Sequence, residues 1–564
     1  MVRLGIVLAF LAALPASAQI DGRSHEPVVL EASLAPALLG RATDAIAAFR
    51  WDGTGWDAIP VQVDERAIVD LGEAYGPMNP FDCESILFCI QLEDQVVETM
   101  YTDAGTHVGA DPDPALDADD EIALLASDAG SRAPDAATPP AGIVPSTMVE
   151  IEISDGAESA FLYLAAHDGA LDSAAGQDHV RYTFDLLSGN YLTTYDLAGG
   201  NANGGEPVGD ALGANPEDTT LETDAYSLHF SDRWILDGLM LGSSDDLLDR
   251  RKVQFSPTSC TRHETTGSRG EGAFVVNRDG PVRALRSVVG FNSGPLVQRT
   301  DVFYPELVVS TTALRVHSIP GILDVMDYSE AATGMTYRAN TTPEGVVIDA
   351  DPDSDVRGGS PLEWEVVSGA PGTLVIRHDI QTSANLTPTL FWADNDVNPP
   401  IQCTGDEVAL GQSGPWFDQS IPNTDPRLGS HADLVATRIM RLSPEPLPEA
   451  EVETLLAAMA APLAVTVSPI ATSQPGSPEA PPLVSVGPNP TRGSITVFFV
   501  MTEPGPVEIA VVDALGRAPI MRRVRTYAVG AQQVEIDTSM LAPGLYLVRL
   551  ATPGGTVVQR FTRL

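Results

Sequence analysis

A period-two alternation of apolar and polar residues, broken at short intervals by turn residues, constrains the fold of this chain more than any other feature. It recurs in segments such as VEIEIS from Val149, VRALRSVVGF from Val282, ALRVHSI from Ala313 and TLVIRHDI from Thr373. Such alternation places apolar side chains on one face of a β-strand, and the 49 Gly and 45 Pro residues supply turns between strands. The pattern predicts an all-β protein whose main part is a large antiparallel β-sandwich.

One segment has a clear helical pattern instead. Pro448–Ala461 has Pro in the first turn, acidic residues early, and apolar residues at Val452, Leu455, Leu456 and Met459. This spacing gives a helix one apolar face. We expect a helix here that caps the main domain.

Two proline-rich stretches indicate domain boundaries. Residues 129–146 contain four prolines, and residues 469–482 read PIATSQPGSPEAPP, a composition that cannot build a core. The predicted organisation is a signal peptide at 1–18, an N-terminal β unit at 19–130, a main β-sandwich domain at 146–465, a linker at 466–482 and a C-terminal domain at 483–564.

The N-terminus has the pattern of a secretory signal peptide. Arg3 precedes an apolar run from Leu4 to Leu14, and Ala16-Ser17-Ala18 forms an A-x-A cleavage site. The run is too short to remain as a membrane-spanning helix, and no later segment approaches 18 uninterrupted apolar residues. We therefore expect an exported mature chain without an integral membrane segment.

The four cysteines predict disulfides, because an even number in an exported chain favours pairing over metal binding. Cys83 and Cys89 are close enough in sequence to close a local loop, which would leave Cys260 and Cys403 to join distant strands. Four cysteines allow three pairings, and the sequence leaves all three open. A zinc site is disfavoured, because no C-x-x-C or H-E-x-x-H spacing occurs.

The charge excludes nucleic acid as a partner. The chain has 77 acidic and 32 basic residues, a formal net charge of −45, whereas phosphate contacts need clustered Lys and Arg. Lys252 is the only lysine. Neither a Walker loop nor G-x-G-x-x-G is present, so we expect no nucleotide or organic cofactor, and the hydrolase motif G-x-S-x-G is also absent.

Aspartates are concentrated in two loops, DPDPALDADDE from Asp111 and DADPDSDVRGG from Asp349. Alternate aspartates on a turning backbone direct several oxygens at one point, as Ca²⁺ requires. The predicted ligands are Asp117, Asp119, Asp349, Asp351, Asp353 and Asp355. Since neither loop has the Gly and Glu positions of an EF-hand, ordinary solvated acidic loops remain the alternative.

A few side chains are candidates for carbohydrate chemistry. Arg can neutralise a uronate carboxylate while His or Tyr moves a proton, and paired carboxylates can cleave a glycosidic bond. Trp364 and Trp392 lie near acidic residues, where an exposed ring would stack on a surface glycan. The residues that such catalysis would use are Arg315, His317, Tyr337, Arg338, Glu363 and Glu365. Each of these also has a purely structural interpretation in a β-sandwich.

The C-terminal segment alternates again, as in VEIAVVD from Val507, and predicts a small immunoglobulin-like β-sandwich. Its ordered motifs resemble the type A C-terminal sorting domain of the type IX (Por) secretion system. The residues that carry this resemblance are Asn489, Pro490, Gly493, Asp513, Gly516, Arg517, Gly544 and Tyr546. The resemblance implies the type IX secretion machinery as partner, passage through the periplasm, and attachment to the cell surface or release.

Two functions remain open for residues 19–465. The first is a non-catalytic binding or structural β protein, with a surface glycan as a partner and Ca²⁺ in its acidic loops. The second is a secreted carbohydrate-active enzyme, a polysaccharide lyase or glycoside hydrolase on a large β-sandwich. The absence of a recognisable nucleophile, metal triad or cofactor loop favours the first.

Overall fold

The computed structural model divides the chain into two compact units, one that ends at Ile470 and one that comprises Ala471–Leu564. The predicted signal peptide lies outside the described residues, as does most of the predicted linker. The structure describes residues 19–71, 97–106, 108–169, 171, 178–187, 217–255, 260, 263–265, 272–291, 297–314, 319–351, 356–382, 386–421, 434–470, 484–487, 493–501, 505–513, 521–527, 530–538, 541, 544–552 and 555–563.

The largest element is a nine-stranded antiparallel sheet in the first unit. In spatial order its strands are β15 (Gly272–Arg278), β16 (Ala284–Gly290), β17 (Val297–Phe303), β18 (Leu307–Leu314), β27 (Leu434–Ser443), β24 (Gly372–Thr382), β23 (Trp364–Gly369), β20 (Thr336–Ala339) and β21 (Thr342–Val347).

Two further sheets share a hydrophobic core with this sheet. The first has the order β14 (Leu248–Gln254), β19 (Ile322–Tyr328), β26 (Ala409–Phe417), β25 (Thr389–Asn395) and β22 (Val356–Pro361), and the second has the order β10 (Arg181–Thr183), β11 (Thr219–Glu222), β12 (Tyr226–Asp232) and β13 (Ile235–Leu241). Leu239, Tyr328, Leu374, Trp392 and Met440 belong to one buried cluster drawn from all three sheets. The predicted large antiparallel β-sandwich is confirmed.

Smaller sheets are built mainly from the N-terminal residues. They comprise β1 (Pro27–Glu31), β7 (Glu121–Leu125) and β4 (Gln62–Asp64); β28 (Ala464–Pro469), β8 (Val149–Ser154), β9 (Ser159–Ala166), β2 (Ile46–Trp51) and β3 (Trp56–Ile59); and the pair β5 (Arg66–Asp70) and β6 (Val97–Tyr101). Strand β8 alternates as its sequence predicts, with Val149, Ile151 and Ile153 buried.

The predicted break at 129–146 does not separate two sheets. Strands β8 and β9 follow the break, yet β9 pairs with β2, and β28 from the end of the unit pairs with β8. Ala123 and Leu125 of β7 also pack with Tyr304 and Leu307 near β18. The N-terminal strands are therefore part of the same compact unit as the main sandwich.

The predicted helix is present as α1 (Glu449–Ala460). Its buried residues Val452 and Leu455 pack on Val366 and Val375 of the nine-stranded sheet. Short 3₁₀ turns lie at Ala32–Leu34, Thr43–Ala45, Ala126–Asp128, Pro145–Thr147 and Glu330–Ala332. Within the described ranges, no helix has the length and apolar character needed to cross a membrane.

The second unit is a two-sheet sandwich of short antiparallel strands. One sheet has the order β29 (Val484–Gly487), β30 (Ser494–Met501) and β33 (Gly530–Asp537). The other has the order β32 (Met521–Tyr527), β31 (Gly505–Asp513), β34 (Gly544–Thr552) and β35 (Gly555–Arg563). Ile495 and Val497 of one sheet and Val507, Ile509 and Val548 of the other form its core. This confirms the small C-terminal β-sandwich.

Candidate functional site

Tyr337, Glu365 and His378 form a hydrogen-bonded group on three neighbouring strands of the nine-stranded sheet. Tyr337 and His378 are diagonal neighbours of Glu365 in the strand register, so all three side chains lie on one face. Tyr337 donates to Oε2 of Glu365 at 2.9 Å, and His378 Nε2 lies 2.7 Å from Oε1. The three residues are 0%, 1% and 7% exposed.

The electrostatics of this group follow from its burial. Burial raises the pKa of Glu365, but the hydrogen bond and charge of His378 outweigh it, so the net shift is downward. Burial, with a smaller contribution from Glu365, raises the pKa of Tyr337 well above its usual value. Trp392 stacks on the Tyr337 ring with centroids 4.1 Å apart, so it cannot serve as a glycan platform. The group stabilises strand packing from within the core.

Of the other predicted catalytic residues, Glu363 and Arg338 lie in the described part of the chain and do not join this group. Glu363 is exposed, whereas Glu365 is buried, so the two carboxylates have different surroundings. Arg338 forms an ion pair with Glu449 of α1 at 2.7 Å. Arg315 and His317 lie outside the described residues.

In the first aspartate loop, carboxylates accept hydrogen bonds from backbone N–H groups. Asp120 accepts the backbone N–H of Arg66 at 2.8 Å and of Asp117 at 2.9 Å, and Asp117 accepts that of Asp119 at 3.1 Å. Burial, followed by the neighbouring Asp117, raises the pKa of Asp119 to about 7. A cation near this pair would relieve the repulsion between the two carboxylates.

The second aspartate loop is organised by a carboxylate outside it. Asp394 accepts the backbone N–H groups of Asp349 at 2.8 Å and Ala350 at 2.9 Å, and Asp349 accepts that of Asp351 at 3.2 Å. Asp349 and Asp351 are exposed, and Asp353 and Asp355 lie outside the described residues.

Three carboxylates do converge elsewhere, around the only lysine. Oxygens of Asp249, Asp327 and Asp406 lie within 4.8 Å of one another, and they form the one such group found among the residues that the structure describes. Lys252 Nζ contacts Oδ2 of Asp327 and lies 3.2 Å from Asp249 Oδ2. The ammonium group itself therefore supplies the cation here. Gln402 Oε1 accepts from the same Nζ at 2.9 Å.

Of the three pairings that the sequence leaves open, the structure has a disulfide between Cys260 and Cys403, beside this cluster. It joins residues 143 positions apart, and Gln254 of β14 donates to Cys403 Sγ at 3.3 Å. The disulfide therefore fixes the segment that carries Gln402 next to β14. Cys83 and Cys89 lie outside the described residues.

Four arginines, which the sequence analysis did not identify, line a small cavity in the main sandwich: Arg233, Arg251, Arg299 and Arg438. Arg251 donates to both oxygens of Asp324 at 2.9 and 2.8 Å. Arg438 donates to the backbone carbonyl of Asp324 at 2.8 Å, and Arg299 lies 3.8 Å from its carboxylate. A shared carboxylate thus partly compensates three buried guanidinium groups.

The balance of charge in this cluster is uneven. Burial raises the pKa of Asp324, but Arg251 and Arg438 outweigh it and hold the value far below normal. Burial, and then Arg251, lower the pKa of Arg299 to about 9. The cavity measures about 20 Å³, counted as space for the centre of a water molecule, which suits one or two waters. Ligand pockets for small molecules span roughly 300 to 1,000 Å³.

Several predicted sorting residues occupy regular positions in the second unit. Asp513 on β31 lies opposite Tyr546 on β34, Gly544 begins β34, and the Gly493 carbonyl accepts the backbone N–H of Thr538 at 3.2 Å. Asn489, Pro490, Gly516 and Arg517 lie outside the described residues.

Comparison with protein families identifies this unit. Residues 485–562 match the model of the secretion system C-terminal sorting domain. The C-terminal part is therefore a type IX sorting domain, and the protein is secreted to the cell surface or the extracellular space. No curated protein matches the chain.

Three solved structures that resemble this chain are distant in sequence. A putative aldose 1-epimerase from Escherichia coli K12 is 13% identical over 40% of this chain and 97% of its own, with a TM-score of 0.23. An alpha-mannosidase from Enterococcus faecalis V583 is 8% identical over 90% of this chain and 55% of its own, with a TM-score of 0.35. Dimeric latent PorU from Porphyromonas gingivalis is 12% identical over 71% of this chain and 35% of its own, with a TM-score of 0.14.

Proposed function

We propose that the protein is a non-catalytic binding or structural β protein, which the type IX system delivers to the cell surface or the medium. The burial of two of its acid–base candidates, Tyr337 and Glu365, supports this most. Tyr337 and Glu365 are at most 1% exposed and bond within the core. A general acid or base must reach the proton that it transfers, and these groups are sealed from substrate unless the sheets open.

The proposed ligand is a surface glycan bound on the outside of the first unit, which ends at Ile470 and is called the cargo unit below. The arginine-lined cavity is far smaller than a sugar-binding pocket, so we do not assign the glycan to it. The proposal places shallow binding on side chains of the outer faces of the sheets and loops.

Incubation of the purified mature protein with acidic and neutral polysaccharides tests this proposal. Binding on a glycan array, without ultraviolet-absorbing unsaturated products or new reducing ends, is the expected result. Turnover that disappears in His317→Ala but survives in His378→Ala would instead identify a carbohydrate-active enzyme, because the two histidines lie in separate segments.

The proposal includes Ca²⁺ at the aspartate loops. The adjacent carboxylates of Asp117 and Asp119, with the raised pKa of Asp119, support a cation there because it would offset their repulsion. Chelator should lower the melting temperature of the wild type but not of Asp117→Asn/Asp119→Asn. An unchanged wild-type transition would remove calcium from the proposal.

A further inference from the structure

Lys252 is an exception in a chain whose other residues of the Lys and Arg types are all arginines. It is the only lysine among 32 basic residues, and it is 1% exposed on β14. The buried carboxylates of Asp64 and Glu217 are paired with arginine instead. Arginine binds carboxylates in a planar fork, whereas lysine has a compact amine that becomes a nucleophile when it loses a proton.

The carboxyl group that faces this amine is held in a fixed orientation. Asp327 is 0% exposed on the neighbouring strand β19, diagonal to Lys252 in the strand register. Its Oδ1 accepts the backbone N–H of Leu410 at 3.1 Å. Its Oδ2 contacts Lys252 Nζ and accepts from Gln412 Nε2 at 3.2 Å. The two oxygens therefore have different partners.

A second carboxylate is placed to take a proton from the amine. Asp249 Oδ2 lies 3.2 Å from Lys252 Nζ, and its side chain is 18% exposed, so it can exchange protons with solvent. Gln402 Oε1, 2.9 Å from Nζ, restricts the amine further. The arrangement contains a nucleophile, an electrophilic carboxyl group and a base within contact distance of one another.

We propose that Lys252 and Asp327 condense to form an intramolecular isopeptide bond between Nζ and Cγ, with Asp249 as the base. The ammonium group gives one proton to Asp249, and the resulting amine attacks Cγ of the protonated Asp327 carboxyl group. The Leu410 N–H stabilises the oxyanion that develops at Oδ1, as backbone donors do in acyl-transfer sites.

The step balances without a further reactant. The N–C bond forms, and Oδ2 leaves as water with the carboxyl proton and one proton from nitrogen. One proton stays on the amide nitrogen, and the third ammonium proton remains on Asp249 until it exchanges with solvent. The product keeps Oδ1 as the amide carbonyl, still bonded to Leu410.

Two features of the site favour the condensed state. Burial raises the pKa of Asp327 to about 7, although Lys252 opposes this, so part of the carboxyl population is protonated near neutral pH. Burial lowers the pKa of Lys252, but Asp327 and Asp249 outweigh it and the net shift is upward, so the transfer of a proton to Asp249 is a required step. Well-oriented intramolecular reactions reach effective molarities of about 10⁵ to 10⁸ M, so fixed neighbours condense far faster than the same groups would free in solution. The bond would join β14 to β19 across 75 residues, next to the Cys260–Cys403 disulfide.

Mass spectrometry of the full secreted chain tests the proposal after disulfide reduction. We expect the wild type to be lighter by one water than the mass inferred from Lys252→Arg, after correction for the substitution itself. Digestion should also yield a branched peptide that contains both Lys252 and Asp327. A wild-type mass without this deficit would overturn the proposal and leave a buried ion pair.

Two variants test whether Asp249 is the base, while both reacting groups are kept. Asp249→Asn keeps both partners, so it should retain the full mass or lose water much more slowly. Asp418→Asn, an exposed aspartate outside this cluster and outside both aspartate loops, should remain as light as the wild type after the same correction. Rapid water loss in Asp249→Asn would refute the role of Asp249. Because the wild-type mass is decisive by itself, poor folding of a variant does not affect the test.

Discussion

Removal of the Cys260–Cys403 disulfide should destabilise the cargo unit by an amount that its loop length sets. The bond joins residues 143 positions apart. Constraining an unfolded loop of this length is worth about 5 kcal/mol in the chain-entropy relation. Unfolding entropy of about 2.1 cal/mol/K per residue gives roughly 1 kcal/mol/K for a unit of about 450 residues. Cys260→Ser/Cys403→Ser should therefore melt about 5 °C below the wild type.

Differential scanning calorimetry of the full chain, with and without reductant, measures this effect. Cys83→Ser/Cys89→Ser is the matched control, because it retains the long-range bond and its transition should still fall by about 5 °C on reduction. A Cys260→Ser/Cys403→Ser variant that melts within about 1 °C of the wild type would refute the loop-entropy argument.

Three further outcomes test the structure. Glu365→Gln should cost about 2 to 3 kcal/mol in urea unfolding, because it weakens two buried hydrogen bonds, whereas the exposed Glu363→Gln should be neutral; equal effects would contradict the buried role of Glu365. Asp119 has a pKa raised from 3.8 to about 7, so the stability that its proton confers is complete below pH 3.8 and is lost as pH rises through 7. In the presence of chelator, Asp119→Asn should therefore gain melting temperature over the wild type progressively between pH 3.8 and 7 and reach its full gain above pH 7, and a gain that is equal at acid pH would exclude this cause. Deletion of residues 483–564 should trap the cargo in the periplasm, as cell fractionation would show, and surface display without them would overturn the sorting role.

The sequence was informative wherever local pattern decides structure. Alternation in VEIEIS matched the buried face of β8, and helical spacing matched α1 within one residue at each end. The break at 129–146 was less informative, because strand pairing is not local. A proline-rich segment ends a strand but does not determine which sheet the next strand joins, and β9 returns to β2.

The polar interior shows why site prediction was harder than fold prediction. Arginine is usually exposed, so the sequence suggests surface positions for Arg299 and Arg438. Only the sheet register places them around Asp324. Lys252 carried a usable signal, because a chain that otherwise uses arginine retains lysine at one position only. That signal names the residue but not its partners, since Asp327 lies 75 residues away and Asp249, three residues before Lys252, lies where a register shift interrupts the pairing of β14 with β19. Composition can therefore mark a reactive side chain, whereas the chemistry depends on the neighbours that long-range pairing supplies.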